Sequence, residues 1–306
     1  MNARQGAWLS QGVTRLGFGI ILLGSSLINC VPSQADNIYV SNTGNATVVG
    51  YNSSGQQISS YSASGLFVPE GLGFDGSGNL YVVNNVSGQI DKFSPNGTES
   101  KFVGSTYQWS TALAIDNNGN VFESSPTGTE EFDKNGVLQW GAQFEASGRE
   151  GMAVDANDNL YVPTGTTIAK CGTNKVQATY VTYPLSYWGA SGGIAFDSSG
   201  DFFVANFALN AIYEVDTNGV MTVFANTGLN EPEGLAFDSA GNLYVANSGD
   251  GTIEEFGTNG VGTVFASGLS DPTFLATQVP EPGSWVLVVF GCGMVLGGWR
   301  LRRRVA

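Results

Sequence analysis

At 306 residues, 42% apolar and with a formal net charge of −14, the chain has room for one large or two ordinary domains. It carries no basic patch able to follow nucleic-acid phosphates. It contains no histidine, which removes serine–histidine and cysteine–histidine nucleophile schemes and the usual ligands of a catalytic zinc.

Residues 1–35 hold Arg4 and Arg15, an apolar run from Leu16 to Ile28, and Ser33-Gln34-Ala35, a small-x-small site. This order predicts a signal helix that is cleaved on export. Leu27-Ile-Asn-Cys30 offers a lipoprotein alternative, although Asn29 is a poor residue before the cysteine. Of the twelve basic residues, Arg4, Arg15, Arg300, Arg302, Arg303 and Arg304 lie in the ends, leaving six against 26 acidic residues between Asp36 and Glu281, a net charge of −20. Such a body stays soluble and attracts cations. It keeps one cysteine, Cys171, so no internal disulfide forms there, and a small buried hydrophobe is its expected role.

From residue 36 to 278 one phrase recurs: Gly71-Leu-Gly-Phe-Asp75, Ala112-Leu-Ala-Ile-Asp116, Gly151-Met-Ala-Val-Asp155, Gly193-Ile-Ala-Phe-Asp197 and Gly234-Leu-Ala-Phe-Asp238. The aspartates are 41, 39, 42 and 41 residues apart. A period near forty with four short strands per unit predicts an all-β, six-bladed β-propeller, because one unit cannot bury its own apolar faces. The last full unit divides into Gly234–Phe237, Asn242–Ala246, Thr252–Phe256 and Gly262–Ala266. The aspartate of each phrase is placed to accept amides of a tight turn. Asn-Gly steps at 96–97, 135–136, 218–219 and 259–260 predict two-residue hairpins. Asp36–Tyr61 matches three strands and lacks a first, while Asp271-Pro-Thr-Phe-Leu-Ala-Thr277 aligns with Glu231-Pro-Glu-Gly-Leu-Ala-Phe237. The C-terminal strand is therefore expected to complete the N-terminal blade and close the ring. This body resembles NHL-repeat proteins, with Pro-x-Gly-ψ-Ala-ψ-Asp…Gly-Asn-ψ-Tyr-Val (ψ apolar) as the shared pattern. Val121-Phe-Glu-Ser-Ser-Pro126 departs from it.

Residues 279–306 begin with Val279-Pro-Glu-Pro-Gly283, continue apolar from Ser284 to Trp299 and end in Arg300-Leu-Arg-Arg-Arg304. A transmembrane helix is expected, shorter than the ~20 residues of a full span and held at its end by the arginines. This three-part order resembles the PEP-CTERM sorting signal, with Pro280, Glu281 and Pro282 as its motif. The resemblance implies cleavage by an exosortase-type membrane protease and release of the mature protein to the cell surface or extracellular matrix. A plain membrane anchor is the alternative.

Ahead of each innermost strand, the aligned residues run Glu70, Thr111, Glu150, Gly192, Glu233 and Thr273. Carboxylates from alternate blades are thus expected at one mouth of the channel, as a candidate site for Ca²⁺ or another hard divalent cation. The competing reading makes them solvated loop residues. Asn84, Asn206 and Asn247 close the second strand in three blades and either add amide oxygens to that mouth or cap the next hairpin. Trp109, Trp140 and Trp188, with Tyr107, Tyr183 and Tyr187, either stack on sugar rings or pack between blades.

Two functions compete. The first is a non-catalytic, monomeric, exported binding or scaffold propeller associated with exopolysaccharide. The second is a divalent-metal hydrolase resembling gluconolactonase-like propellers, in which Glu70 or Glu233 would act with Asn206 and Asn247, and for which no ligand aspartate can be placed.

Overall fold

The computed structural model describes residues 19–23, 26–30, 36–62, 66–104, 109–125, 128–142, 151–164, 167–182 and 191–278. Strands β1 (Gly19–Leu23) and β2 (Ser26–Cys30) pair antiparallel, Gly19 opposite Cys30. Over these residues the expected signal helix is replaced by a hairpin. A short apolar run suits either form, and the β-branched Ile20, Ile21 and Ile28 favour strand. The hairpin lies outside the compact unit Ala35–Gly283. Among the described residues no helix is long and apolar enough to cross a membrane. The expected C-terminal span and Pro280, Glu281 and Pro282 lie outside the described residues.

The described residues of the body form six antiparallel sheets of four strands. Blade I contains β3 (Asn37–Asn42), β4 (Thr47–Tyr51) and β5 (Gln57–Tyr61). Blade II is β6 (Pro69–Phe74), β7 (Leu80–Asn84), β8 (Gln89–Phe93) and β9 (Glu99–Val103). Blade III is β10 (Ala112–Ile115), β11 (Val121–Ser125), β12 (Gly128–Phe132) and β13 (Leu138–Ala142). Blade IV is β14 (Ala153–Val154), β15 (Leu160–Pro163), β16 (Thr167–Cys171) and β17 (Gln177–Thr182). Blade V is β18 (Ser191–Phe196), β19 (Phe202–Asn206), β20 (Ala211–Val215) and β21 (Met221–Ala225). Blade VI is β22 (Pro232–Phe237), β23 (Leu243–Asn247), β24 (Thr252–Phe256) and β25 (Gly262–Ala266). The last strand, β26 (Pro272–Gln278), joins blade I beside β3, with Leu275 opposite Val40 and Gln278 opposite Asn37. That pairing removes the free edge of β3 and closes the ring as expected.

The innermost strands β26, β6, β10, β14, β18 and β22 touch their neighbours in cyclic order. Their first repeat residue is small because backbones meet there. A Cβ on Gly71 would lie 2.5 Å from the Leu113 amide nitrogen, and one on Gly151 would lie 2.7 Å from the Gly193 Cα. Gly71 N–H donates across blades to the Thr111 carbonyl at 3.0 Å. The core lies between blades. Tyr81, Val83 and Ile90 of blade II bury against Leu113, Val121 and Phe132 of blade III, and the other interfaces repeat the pattern. Each such side chain contributes about 1.5–3 kcal/mol by leaving water. Cys171 belongs to this core, as the sequence suggests.

Each repeat aspartate closes the turn after an inner strand. Asp75 accepts the amides of Ser77 and Asn79 at 2.9 Å each, the Asn79 side chain at 2.7 Å and the Tyr81 hydroxyl at 3.1 Å. The Asn-Gly hairpins are longer than the expected two residues. Gly97 N–H returns to the Ser94 carbonyl and Gly97 alone takes a left-handed φ of 82°, while the Asn96 carboxamide oxygen accepts the Thr98 amide. One glycine after a tight turn suffices, and the side-chain acceptor is the asparagine at Asn96 and Asn259 but an aspartate at Asp133 and Asp216.

Candidate functional site

Glu70 and Glu233 stand at the starts of β6 and β22, on either side of β26. They are 2% and 5% exposed, so the solvated-loop reading does not hold for them. Between them Thr273 is fully buried, and its hydroxyl meets that of Thr43 at 2.9 Å. Thr43 also donates to the Pro69 carbonyl at 2.7 Å, and Ser41 donates to the carbonyl of Glu70 itself. Thr111, the aligned residue of β10's blade, is buried as well, and Gly192 presents no side chain because Glu233 backbone occupies that space. The structure therefore places an arc of carboxylates and hydroxyls at one end of the inner strands of blades VI, I, II and III. Glu150, the third expected carboxylate, lies outside the described residues, as do Tyr107, Tyr183, Tyr187 and Trp188.

Ser41 and Thr43 were not singled out from the sequence. The available signal was Val40-Ser-Asn-Thr43 at a place where other blades read Val-Val-Asn or Val-Ala-Asn. The 3-10 turn Thr43–Asn45 turns the chain there, and its N-terminal amides reach the carbonyls of Asp271 and Ser270.

The asparagines work on loops. Asn247 accepts the Asn230 amide at 3.2 Å and donates to the Gly228 carbonyl at 3.1 Å, fixing the linker that leads into β22. Asn42 holds Ser270 in the same way. Asn206, fully buried, accepts the Leu209 amide at 2.9 Å; among the described residues its amide nitrogen has no acceptor. The oxygens of Asn206 and Asn247 are thus committed to backbone amides: Asn206 caps the next hairpin, whereas Asn247 ties down the preceding linker. Asn84 is buried opposite Pro69, at the foot of the Glu70 strand.

The oxygen-only donors around Glu70 and Glu233 suit a hard cation better than a soft one. Among the described residues no three acidic or cysteine side chains gather as a metal shell. Elsewhere, burial and the nearby Asp201, Asp197 and Asp216 raise the Glu214 carboxyl. Asp75 and Asp155 behave oppositely. Burial raises each, but hydrogen bonds from Asn79 and Tyr81, or Asn159 and Tyr161, outweigh it and hold the carboxyl low.

No protein-family model and no curated protein matches the chain. Solved structures do resemble it. Virginiamycin B lyase from Staphylococcus aureus aligns over 84% of this chain and 87% of its own, with 11% identity and a TM-score of 0.61. A nidogen/laminin complex aligns over 79% and 98% at 14% identity and a TM-score of 0.64. Regucalcin, a calcium-binding protein from Agrobacterium tumefaciens, aligns over 68% and 77% at 18% identity and a TM-score of 0.58. At these identities the likeness shows the fold, a six-bladed β-propeller, and nothing finer.

Proposed function

We propose that the chain is an exported binding propeller without catalytic activity, whose end bearing Glu70 and Glu233 takes a divalent cation, Ca²⁺ first, together with exopolysaccharide hydroxyls. The observation that carries this reading is the deep burial of both carboxylates on inner strands flanking Thr273. A cation offsets part of the cost of burying carboxylate charge, and the hydroxyls of Thr43 and Thr273 on the intervening blade are further hard oxygen ligands. The net charge of −20 in the body favours cation uptake at long range. An H→A variant of the structurally similar lyase is catalytically inactive, and this chain has no histidine. Export, tail removal by an exosortase-type protease at the Pro280-Glu281-Pro282 segment, and a destination at the cell surface belong to the same proposal.

The test is retention on purified exopolysaccharide with Ca²⁺ and with a chelator, for the wild type and for Glu70→Gln/Glu233→Gln. Calcium-dependent retention that the double variant loses supports the reading. No retention by the wild type in either condition sinks it. A lactone-hydrolysis assay with Ca²⁺, Zn²⁺ or Mn²⁺ guards the non-catalytic half: turnover abolished by Glu233→Gln would replace it with the hydrolase.

A further inference from the structure

Blade IV breaks a rule that the other blades keep. Where Gly55, Gly97, Gly136, Gly219 and Gly260 take the left-handed position of the turn between third and fourth strands, blade IV has Lys175 at φ 63°. Its amide makes the same turn bond, to the Gly172 carbonyl at 2.8 Å. The turn after the inner strand is altered too: Asp158 at φ 61° replaces the glycine seen at Gly78, Gly119, Gly200 and Gly241. Non-glycine residues strain this conformation, and such strain collects at functional sites.

Both residues reach back to blade III. Asp158 accepts the Asn117 amide at 2.9 Å and the side chains of Asn117 and Asn118 at 2.8 and 3.2 Å. Lys175 pairs with buried Glu131 and lies over the rings of Phe122 and Trp140, 5.4 Å from each centroid. Blades II and IV keep their lysine internal: Lys92 sits 3.6 Å from Asp75, and Lys170 3.7 Å from Asp155. In blade III Glu131, opposite Phe122, holds the place of Lys92 and Lys170, so the cation comes from the neighbouring blade.

The result is an open cleft of about 390 Å³ on the seam, lined by Asn120, Glu131, Asp133, Gln139, Trp140 and Lys175. That size is near the lower end of the roughly 300–1,000 Å³ of small-molecule sites. The lining has one aromatic ring and otherwise only carboxylate, amide and ammonium groups. Hydrogen bonds donated by the Val137 and Asn135 amides outweigh burial and keep Asp133 low, so it is an ionised acceptor. Trp140 is the one apolar side chain of the lining, and an anion meets two carboxylates against one lysine.

We infer that this cleft is a saccharide subsite, separate from the inner-strand arc, in which a neutral pyranose ring lies on Trp140 and its hydroxyls bond Asp133, Asn120, Gln139 and Lys175. The inference rests on the polysaccharide reading above for its polymer, and its test is separable from that one. Neutral oligosaccharides of glucose, mannose, galactose and N-acetylglucosamine are titrated against the whole protein, following indole N–H resonances by NMR. A bound member should shift the Trp140 signal. Its affinity should fall about tenfold or more in Trp140→Ala and partly recover in Trp140→Phe, since the stacking surface decides it. Lys175→Gly should weaken binding several-fold; glycine accepts the left-handed turn, and a thermal melt of the variant separates lost binding from the stability lost with the Glu131 pair. Glu70→Gln/Glu233→Gln should leave this binding intact. If oligosaccharides bind and neither Trp140→Phe nor Lys175→Gly changes affinity, the subsite is overturned while polymer retention at the arc can still stand. If none binds the wild type, the subsite is overturned whatever the polymer does; binding at Trp140 without polymer retention upholds it and removes the arc.

Discussion

Gly234 faces Thr273 so closely that an added Cβ would lie 2.4 Å from the Thr273 carbonyl oxygen and 2.8 Å from the Cα of Phe274. This contact joins the innermost strands of blades VI and I, at the seam between the body of the chain and its closing strand. The glycine of the repeated phrase is therefore fixed by the distance between backbones. Gly234→Ala should destabilise by about 1–3 kcal/mol, because one methyl group must displace backbone and not a mobile side chain. Gly76→Ala is the control, since a Cβ there meets nothing within 4 Å. Thermal unfolding followed by circular dichroism should show a lowered midpoint for the first and none for the second.

Much of this architecture was legible in the sequence because it depends on local, repeated chemistry. Asp238 reads as a turn acceptor from Asp-x-x-Gly-Asn alone, and it accepts the amides of Ala240 and Asn242 as that pattern requires. Pro272–Thr277 reads as a displaced first strand by alignment to Pro232–Phe237. Contacts between blades were not legible, since they depend on which side chain crosses a seam. Nothing in the spacing joins Lys175 to Glu131, 44 residues earlier. The surroundings of Glu70 were hidden for the same reason: Ser41 and Thr43 of another blade bond the carbonyls of Glu70 and Pro69.

Glu214 occupies the place that lysine holds in two other blades. It stands opposite Phe203, as Lys92 stands opposite Tyr81 and Lys170 opposite Tyr161. Burial first, and then Asp201, Asp197 and Asp216, raise its carboxyl. A raised folded value means that ionising Glu214 opposes folding as pH climbs above the ordinary glutamate range. Glu214→Lys should thus stabilise at neutral pH, by up to about 1 kcal/mol because the site is partly exposed. The gain should shrink in high salt and in acid, where Glu214 of the wild type is itself neutral and no longer opposes folding. A destabilised Glu214→Lys at neutral pH and low salt would contradict this account.

Asp75 and Asp155 predict the opposite acid response. Their carboxyls are lower folded than free, so the stability they add is fully present above the ordinary aspartate value of 3.8 and is lost as pH falls through the folded value. Wild-type urea midpoints should drop through this acid window. Asp75→Asn should be less stable than wild type at neutral pH, and the difference should narrow in acid. A constant difference from pH 7 to pH 3 would remove Asp75 as a source of acid sensitivity.

Ring closure by β26 makes the sharpest prediction about the fold. Pro272, Leu275, Ala276, Thr277 and Gln278 pair with β3, and Leu275 joins the cluster holding Val40 and Tyr244. Ending the chain at Asp271 would strip β3 of one of its two partners and expose a row of backbone donors and acceptors beside apolar Ile38 and Val40. Such an edge pairs with other chains. The truncated protein should lose cooperative unfolding and elute as larger species in size-exclusion chromatography. Adding a peptide of residues 271–278 should restore part of the monomer, because the groove between blades VI and II already matches that strand. Native, monomeric behaviour of the truncated chain would show that six blades hold together without the strand exchange at their seam.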